Sequence, residues 1–160
     1  MSKYIKDGVK DVKKLISAVL ITAFLCSCAN QEPLKKQTQS GKPEGNFPGK
    51  TAEQVSNTLT WFCNRNGFMV YESSKSVVFC GKQRTGSNAV ITQALIGNSY
   101  STPPVDKLRF SISEYDSATH VWADTWVETQ MVGGQIQQMP VNDNNTKNSI
   151  QNILDNIKIK

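Results

Sequence analysis

Thirteen consecutive residues, 119–131 (THVWADTWVETQM), constrain the fold more than any other segment. Val121, Ala123, Thr125, Val127 and Thr129 alternate with His120, Trp122, Asp124, Trp126, Glu128 and Gln130. A period of two puts these sets on opposite faces of an extended chain, so the segment is a long strand. Upstream, Leu108, Phe110 and Ile112 alternate with Arg109, Ser111 and Ser113, a second half-buried strand, and residues 115–118 turn between the two. Downstream, Gly133-Gly134 is a hairpin turn into a short strand over 135–139, ended by Pro140.

Helical signals flank this strand region. Thr51-Ala52-Glu53-Gln54 has the capping-box pattern, and Val55, Leu59 and Phe62 follow at helical spacing, which gives a helix over 52–65 stopped by Asn66-Gly67. Residues 68–72 and 76–80 are β-rich runs around Ser73-Ser74-Lys75, a hairpin. In residues 88–96 (NAVITQALI), Val90, Ile91 and Thr92 favour a strand over the helix that Gln93, Ala94 and Leu95 would tolerate; residues 97–104 read as a loop. Asn142-Asp143 caps a last helix, with Ile150, Ile153, Leu154 and Ile157 on one stripe. The expected class is α+β: a mostly antiparallel sheet of about five to six strands, with the N-terminal and C-terminal helices packed on one face.

The N-terminus carries a different kind of signal. Lys3, Lys6, Lys10, Lys13 and Lys14 precede an uncharged run over 15–25, which at 11 residues is shorter than the roughly 20 needed to span a bilayer. Leu25-Cys26-Ser27-Cys28 closes the run and resembles the lipobox of bacterial lipoproteins; the competing frame ending at Cys26 places bulky Leu25 before the cysteine and fits poorly. The resemblance implies a signal peptide over 1–27, acylation of Cys28 with chains such as palmitate, and attachment to the lipid bilayer. Ala29 in place of Asp implies the outer membrane, with the domain in the periplasm or at the surface. Several acyl chains are needed for stable attachment, because each buried CH₂ contributes only about 0.8 kcal/mol. Residues 28–50, rich in Pro and Gly, read as the lipidated Cys and a flexible tether, leaving 51–160 as one domain.

Removing 1–27 takes away five Lys and two Asp from 18 basic and 13 acidic residues, leaving 13 and 11, a net +2. The high pI is thus partly a signal-peptide effect and no argument for nucleic acid, and no basic run interleaves with aromatics. In an oxidising envelope compartment the domain's cysteines, Cys63 and Cys80, read as a disulfide, with two buried thiols as the alternative. The hairpin brings Cys80 back to the helix end, and a bridge there contributes about 3 kcal/mol in the chain-entropy model.

Catalytic residue types are scarce. His120 is the lone histidine, and there is no HExxH, no Cys/His cluster and no GxSxG, so no catalytic residue, metal site or cofactor is expected. Asp124 and Glu128 are four residues apart on one strand face, about 13 Å, too wide for a typical glycosidase pair. Trp122 and Trp126 share that face, and with Tyr100 they form the candidate binding surface; the rival reading packs the Trp face under the 97–104 loop or a helix. The order of lipobox, polar tether, helix, hairpin, strands and helix resembles the small single-domain envelope lipoproteins of proteobacterial, plasmid and phage-associated genomes. The expected function is a non-enzymatic, membrane-tethered lipoprotein that binds another envelope component in an adaptor or assembly role. The alternatives are a peptidoglycan- or glycan-binding module, a surface-exclusion lipoprotein of a mobile element, and, less favoured, a carboxylate-using hydrolase.

Overall fold

The structure, a computed structural model, describes residues 32–98 and 100–159. The expected signal peptide over 1–27 and the expected acylation site Cys28 lie outside the described residues. In chain order the elements are β1 (Glu44–Pro48), α1 (Ala52–Arg65), β2 (Met69–Ser73), β3 (Val77–Gln83), α2 (Gly86–Ile96), β4 (Val105–Tyr115), β5 (Ala118–Gln130), β6 (Ile136–Pro140) and α3 (Asn144–Asn156). The class is α+β, with six antiparallel strands and three helices among the described residues.

The long strand organises the sheet. One edge of β5 pairs with β4 from Ala118↔Tyr115 to Glu128↔Val105. The other edge takes two partners in succession, β1 against Ala118–Trp122 and β6 against Trp126–Gln130. Between them, Ala123 donates its N–H to the Pro43 carbonyl at 3.0 Å, and Val141 donates to the Thr125 carbonyl at 3.1 Å. Hydrogen bonding thus continues through the interval, as buried backbone requires. β3 and β2 follow beyond β4, giving the order β2-β3-β4-β5 with β1 and β6 sharing the last place. Asp116 (φ 52°) and Ser117 (φ 57°) form the tight β4–β5 turn; two left-handed positions match the right-handed twist of a two-residue hairpin.

α1 starts on the expected capping box: Gln54 N–H donates to Thr51 Oγ1 at 3.2 Å, and Thr51 N–H donates to Gln54 Oε1 at 3.1 Å. It ends at Gly67 (φ 73°), where Phe68 N–H reaches the Cys63 carbonyl at 2.9 Å. The buried cluster joins Val55 and Leu59 of α1 and Ile150 and Leu154 of α3 to Val78, Phe110 and Val121 of the sheet. Cys63 and Cys80 lie inside it as a disulfide-compatible pair, Cα atoms 6.4 Å apart.

Two segments depart from the sequence reading. Residues 88–96, expected as a strand, lie within helix α2. β3 and β4 pair directly with each other, and β2 and β5 occupy their outer edges, so a strand inserted between them has no edge to join. The segment satisfies its backbone internally as a helix instead. The second departure is the tether. Residues 44–48 form β1, and the polar stretch before them is tied to α3 by two buried amides. Asn148 accepts from Lys35 N–H at 2.8 Å and donates to the Pro33 carbonyl at 2.9 Å; Gln151 accepts from Glu44 N–H at 2.9 Å and donates to the Glu44 carbonyl at 2.8 Å. Gly45 permits the contact: a Cβ there would lie 2.8 Å from the Phe47 ring and 3.4 Å from Leu154 Cβ.

Two outcomes follow for stability. The double substitution Cys63→Ser, Cys80→Ser lowers unfolding free energy by about 3 kcal/mol, read as a fall in the urea midpoint; an unchanged midpoint would exclude the bridge. Asp143 caps α3 through Thr146, whose backbone N–H and hydroxyl donate to its two oxygens at 2.9 and 2.8 Å. The Thr146 backbone N–H is the main reason the Asp143 carboxyl lies below its ordinary value. Because the folded pKa is depressed, the charged cap contributes fully above the unfolded pKa and fades as pH falls through the folded one. Asp143→Ala therefore costs about 1 kcal/mol at neutral pH, and the gap from the native chain narrows as acid protonates the carboxyl.

Candidate functional site

The β5 face carrying Trp122 and Trp126 points away from Val121, Ala123 and Val127, which the core buries. Register then decides which neighbours join each Trp. Trp126 lies opposite Lys107 on β4, which lies opposite Gly81 on β3. Its ring stacks on Phe79 (centroids 5.5 Å apart, planes 16°), and Phe79 meets Tyr71 at 5.1 Å. Gly81 makes room for this row, since a Cβ there would come within 2.9 Å of the Tyr71 ring. Lys107 Nζ sits 3.9 Å from the Tyr71 centroid and 5.3 Å from that of Phe79, a cation over aromatic faces.

Trp122 belongs to a second row on the same strand. Its ring stacks on His120 at 6.1 Å, and His120 meets Tyr115 at 6.5 Å. Asp124 separates the two rows, opposite Arg109 on β4 and 2.8 Å from Lys42 Nζ. Both Trp side chains are half-buried, and the ring contacts they make are with sheet neighbours. Tyr100 is elsewhere: it lies in the turn after α2, 81% exposed, its N–H donating to Asn98 Oδ1 at 2.9 Å. The structure groups Trp122 and Trp126 on one face and leaves Tyr100 outside their ring contacts.

The two acids of this face have separate partners. Asp124 is held by Lys42, while Glu128 meets Lys107 Nζ at 3.5 Å and accepts from Gln138 Nε2 at 2.9 Å and Trp126 Nε1 at 3.3 Å. Partial burial pushes the Glu128 carboxyl up, but the Gln138 and Trp126 hydrogen bonds and the Lys107 charge outweigh it and hold the carboxyl below its ordinary value. Both acids are thus salt-bridged, and the depressed Glu128 does not match a general acid, whose pKa is raised. Among the described residues no group of three or more His, Cys, Asp or Glu could hold a metal ion.

Sequence reasoning missed Tyr71, Phe79, Lys107 and Tyr115. The available signal was the outward set of β3 and β4, with Phe79 opposite Arg109 in a register that spacing alone does not supply. A groove of about 530 Å³ adjoins this site and shares Trp126 and Lys107 with it, with Phe62, Phe68, Leu108 and Ile150 among its other walls. Its cations are engaged: Arg84 Nε donates to Asp106 at 2.7 Å, and Lys82 Nζ donates to the Asn66 carbonyl at 3.0 Å.

No family model, curated protein or solved structure matches the chain. Among the described residues, no helix is long and apolar enough to cross a membrane. The geometry of the aromatic face therefore carries the functional argument by itself.

The Lys107–Glu128 pair gives a direct test of that geometry. A Lys107→Ala, Glu128→Gln double-mutant cycle at neutral pH yields a coupling of about 1 kcal/mol. Glu128 has a depressed folded pKa, so the coupling is present above the unfolded pKa and lost as pH falls through the folded one. A coupling near zero at neutral pH would place the two side chains apart in solution.

Proposed function

We propose that this chain is a non-enzymatic lipoprotein, anchored by acylated Cys28 in the outer membrane, whose domain binds another envelope component in an adaptor or assembly role. In this reading α1 and α3 both cover one sheet face and leave the opposite face to the partner. The observation that carries it is the pair of aromatic rows on that opposite face, Tyr71-Phe79-Trp126 and Tyr115-His120-Trp122, side by side on one continuous sheet. Stacked rings backed by β-strands offer contact area whose rotamers are already fixed, so binding costs little conformational entropy. The salt-bridged Asp124 and Glu128 supply polar contacts at the edges of the rows rather than acid–base chemistry.

A glycan is the second reading, favoured by one specific feature: aromatic rings next to carboxylate and amide groups (Glu128 and Gln138) on a flat surface. Flat rings match the apolar faces of sugars, while the acid and amide match hydroxyls.

One experiment separates the readings. The full chain, tagged at its C-terminus, is cross-linked in intact cells and purified, in parallel with a Trp122→Ala, Trp126→Ala variant; each is also sedimented with purified sacculi. Capture of a protein partner that falls at least about tenfold in the variant, with the fold intact, supports the adaptor reading. Co-sedimentation that depends on the same Trp residues selects the glycan reading. Capture that is indifferent to both substitutions removes the site.

A further inference from the structure

Helix α2 is apolar for most of its length and turns its aliphatic side chains outward. Its inward side is polar: Thr92 is buried and accepts from Arg84 Nη1 at 2.8 Å, and Gln93 Nε2 donates to the carbonyls of Asn98 and Ser101 at 3.1 and 3.0 Å. Its outward side is apolar: Val90 (69% exposed), Ile91 (59%) and Leu95 (72%) face solvent with Ala94. Positions 90, 91, 94 and 95 form one stripe at helical spacing. Val132 and Ile136 of the β5–β6 hairpin and Tyr100 beyond the helix are exposed as well, and α2 packs beside β6. A helix with its polar groups tied inward and its aliphatic groups outward has no reason to exist in water alone.

The strap suggests the occupant. Cys28 is four residues before Glu32, a span of at most about 14 Å when fully extended. From Pro33 onward the chain is clamped to α3 through Asn148, so an anchor at Cys28 holds this end of the domain close to the bilayer. The base of α2 shares a groove with the helix that holds this clamp. Arg84, which holds Thr92, lines the same groove as Thr146 of α3, two residues before Asn148. Residues 85–105 contain no Lys, Arg, Asp or Glu, so nothing in the patch must be dehydrated as a charge when it meets lipid.

We propose that α2 lies in the bilayer interface as a second, hydrophobic contact of the domain with the membrane, through Val90, Ile91 and Leu95. The orientation rests on the acylation reading for Cys28, while the outward apolar stripe does not. Attraction to the lipid is apolar rather than electrostatic, so replacing neutral by anionic lipid does not strengthen it.

The test uses the full chain reconstituted in phosphatidylcholine vesicles. A nitrobenzoxadiazole probe is placed at Leu95→Cys on α2 or, as a control, at Tyr115→Cys at the end of β4. Doxyl-labelled phosphatidylcholine is expected to quench the 95 probe by about half and to leave the 115 probe unchanged. Adding Val90→Asp to the Leu95→Cys chain removes the quenching while the chain still floats with the vesicles. No quenching at 95, or equal quenching at both positions, overturns the proposal. A 95 probe that is shielded without doxyl lipid yet unquenched with it assigns the stripe to a second copy of the chain, and overturns it too. The mass of residue 28 tests the anchor separately. If it is unmodified, the anchor reading fails, and the probe is read again on the Cys28→Ser chain with added vesicles: quenching upholds the α2 contact, and its absence overturns it.

Discussion

The structure depends on the pairing of β5 along both edges. A strand of thirteen residues presents backbone donors and acceptors over roughly 44 Å, and each one buried without a partner would cost free energy comparable to a lost hydrogen bond. β4 meets this demand on one side through a two-residue hairpin. On the other side no single short strand is long enough, and β1 and β6 divide the edge, with Pro43 and Val141 continuing the hydrogen bonding between them. The β1 contribution explains why a mostly polar stretch becomes part of the fold. Its backbone fills the edge, Phe47 enters the core, and Asn148 and Gln151 of α3 hold the approach to it.

The same strand divides the two kinds of surface. One set of alternating residues enters the core with α1 and α3. The other set carries rings and charges that pair laterally across β3, β4 and β5 and form the candidate recognition face. α2 inverts the usual logic in a third place, with polar atoms satisfied inside the fold and aliphatic ones outside. The domain thus has two distinct exposed surfaces, an aromatic, charge-edged sheet and a short uncharged helix. In the proposed reading their chemistry differs enough that one partner class does not serve both.

Some elements were legible because their signals are local. The capping box at Thr51 and the Asp143 cap each lie within one helical turn, and the period-two alternation of 119–131 lies within one strand. The Cys63–Cys80 approach was legible as well, because a helix followed by a tight hairpin brings those positions together whatever the rest of the sheet does. The Trp122 and Trp126 face followed from alternation alone. The neighbours of those rings did not: Phe79 and Lys107 reach Trp126 only through the registers of β3 on β4 and β4 on β5, which depend on pairing between distant segments.

Two other features needed the tertiary structure for the same reason. Val90, Ile91 and Thr92 have strand propensity, but propensity yields to context: β2 and β5 already occupy the outer edges of β3 and β4, and the segment closes its hydrogen bonds as a helix. The polar stretch before β1 has too little apolar surface to order itself, and it is ordered by the amides of a helix more than a hundred residues later. Helix caps, strand alternation, the cysteine pair and the lack of the usual catalytic motifs can all be read from the residues in order, because each is set within a few positions or by composition. Strand order, the aromatic rows, the outward stripe of α2 and the clamped strap were decided only in three dimensions, because each depends on which distant backbone fills which edge.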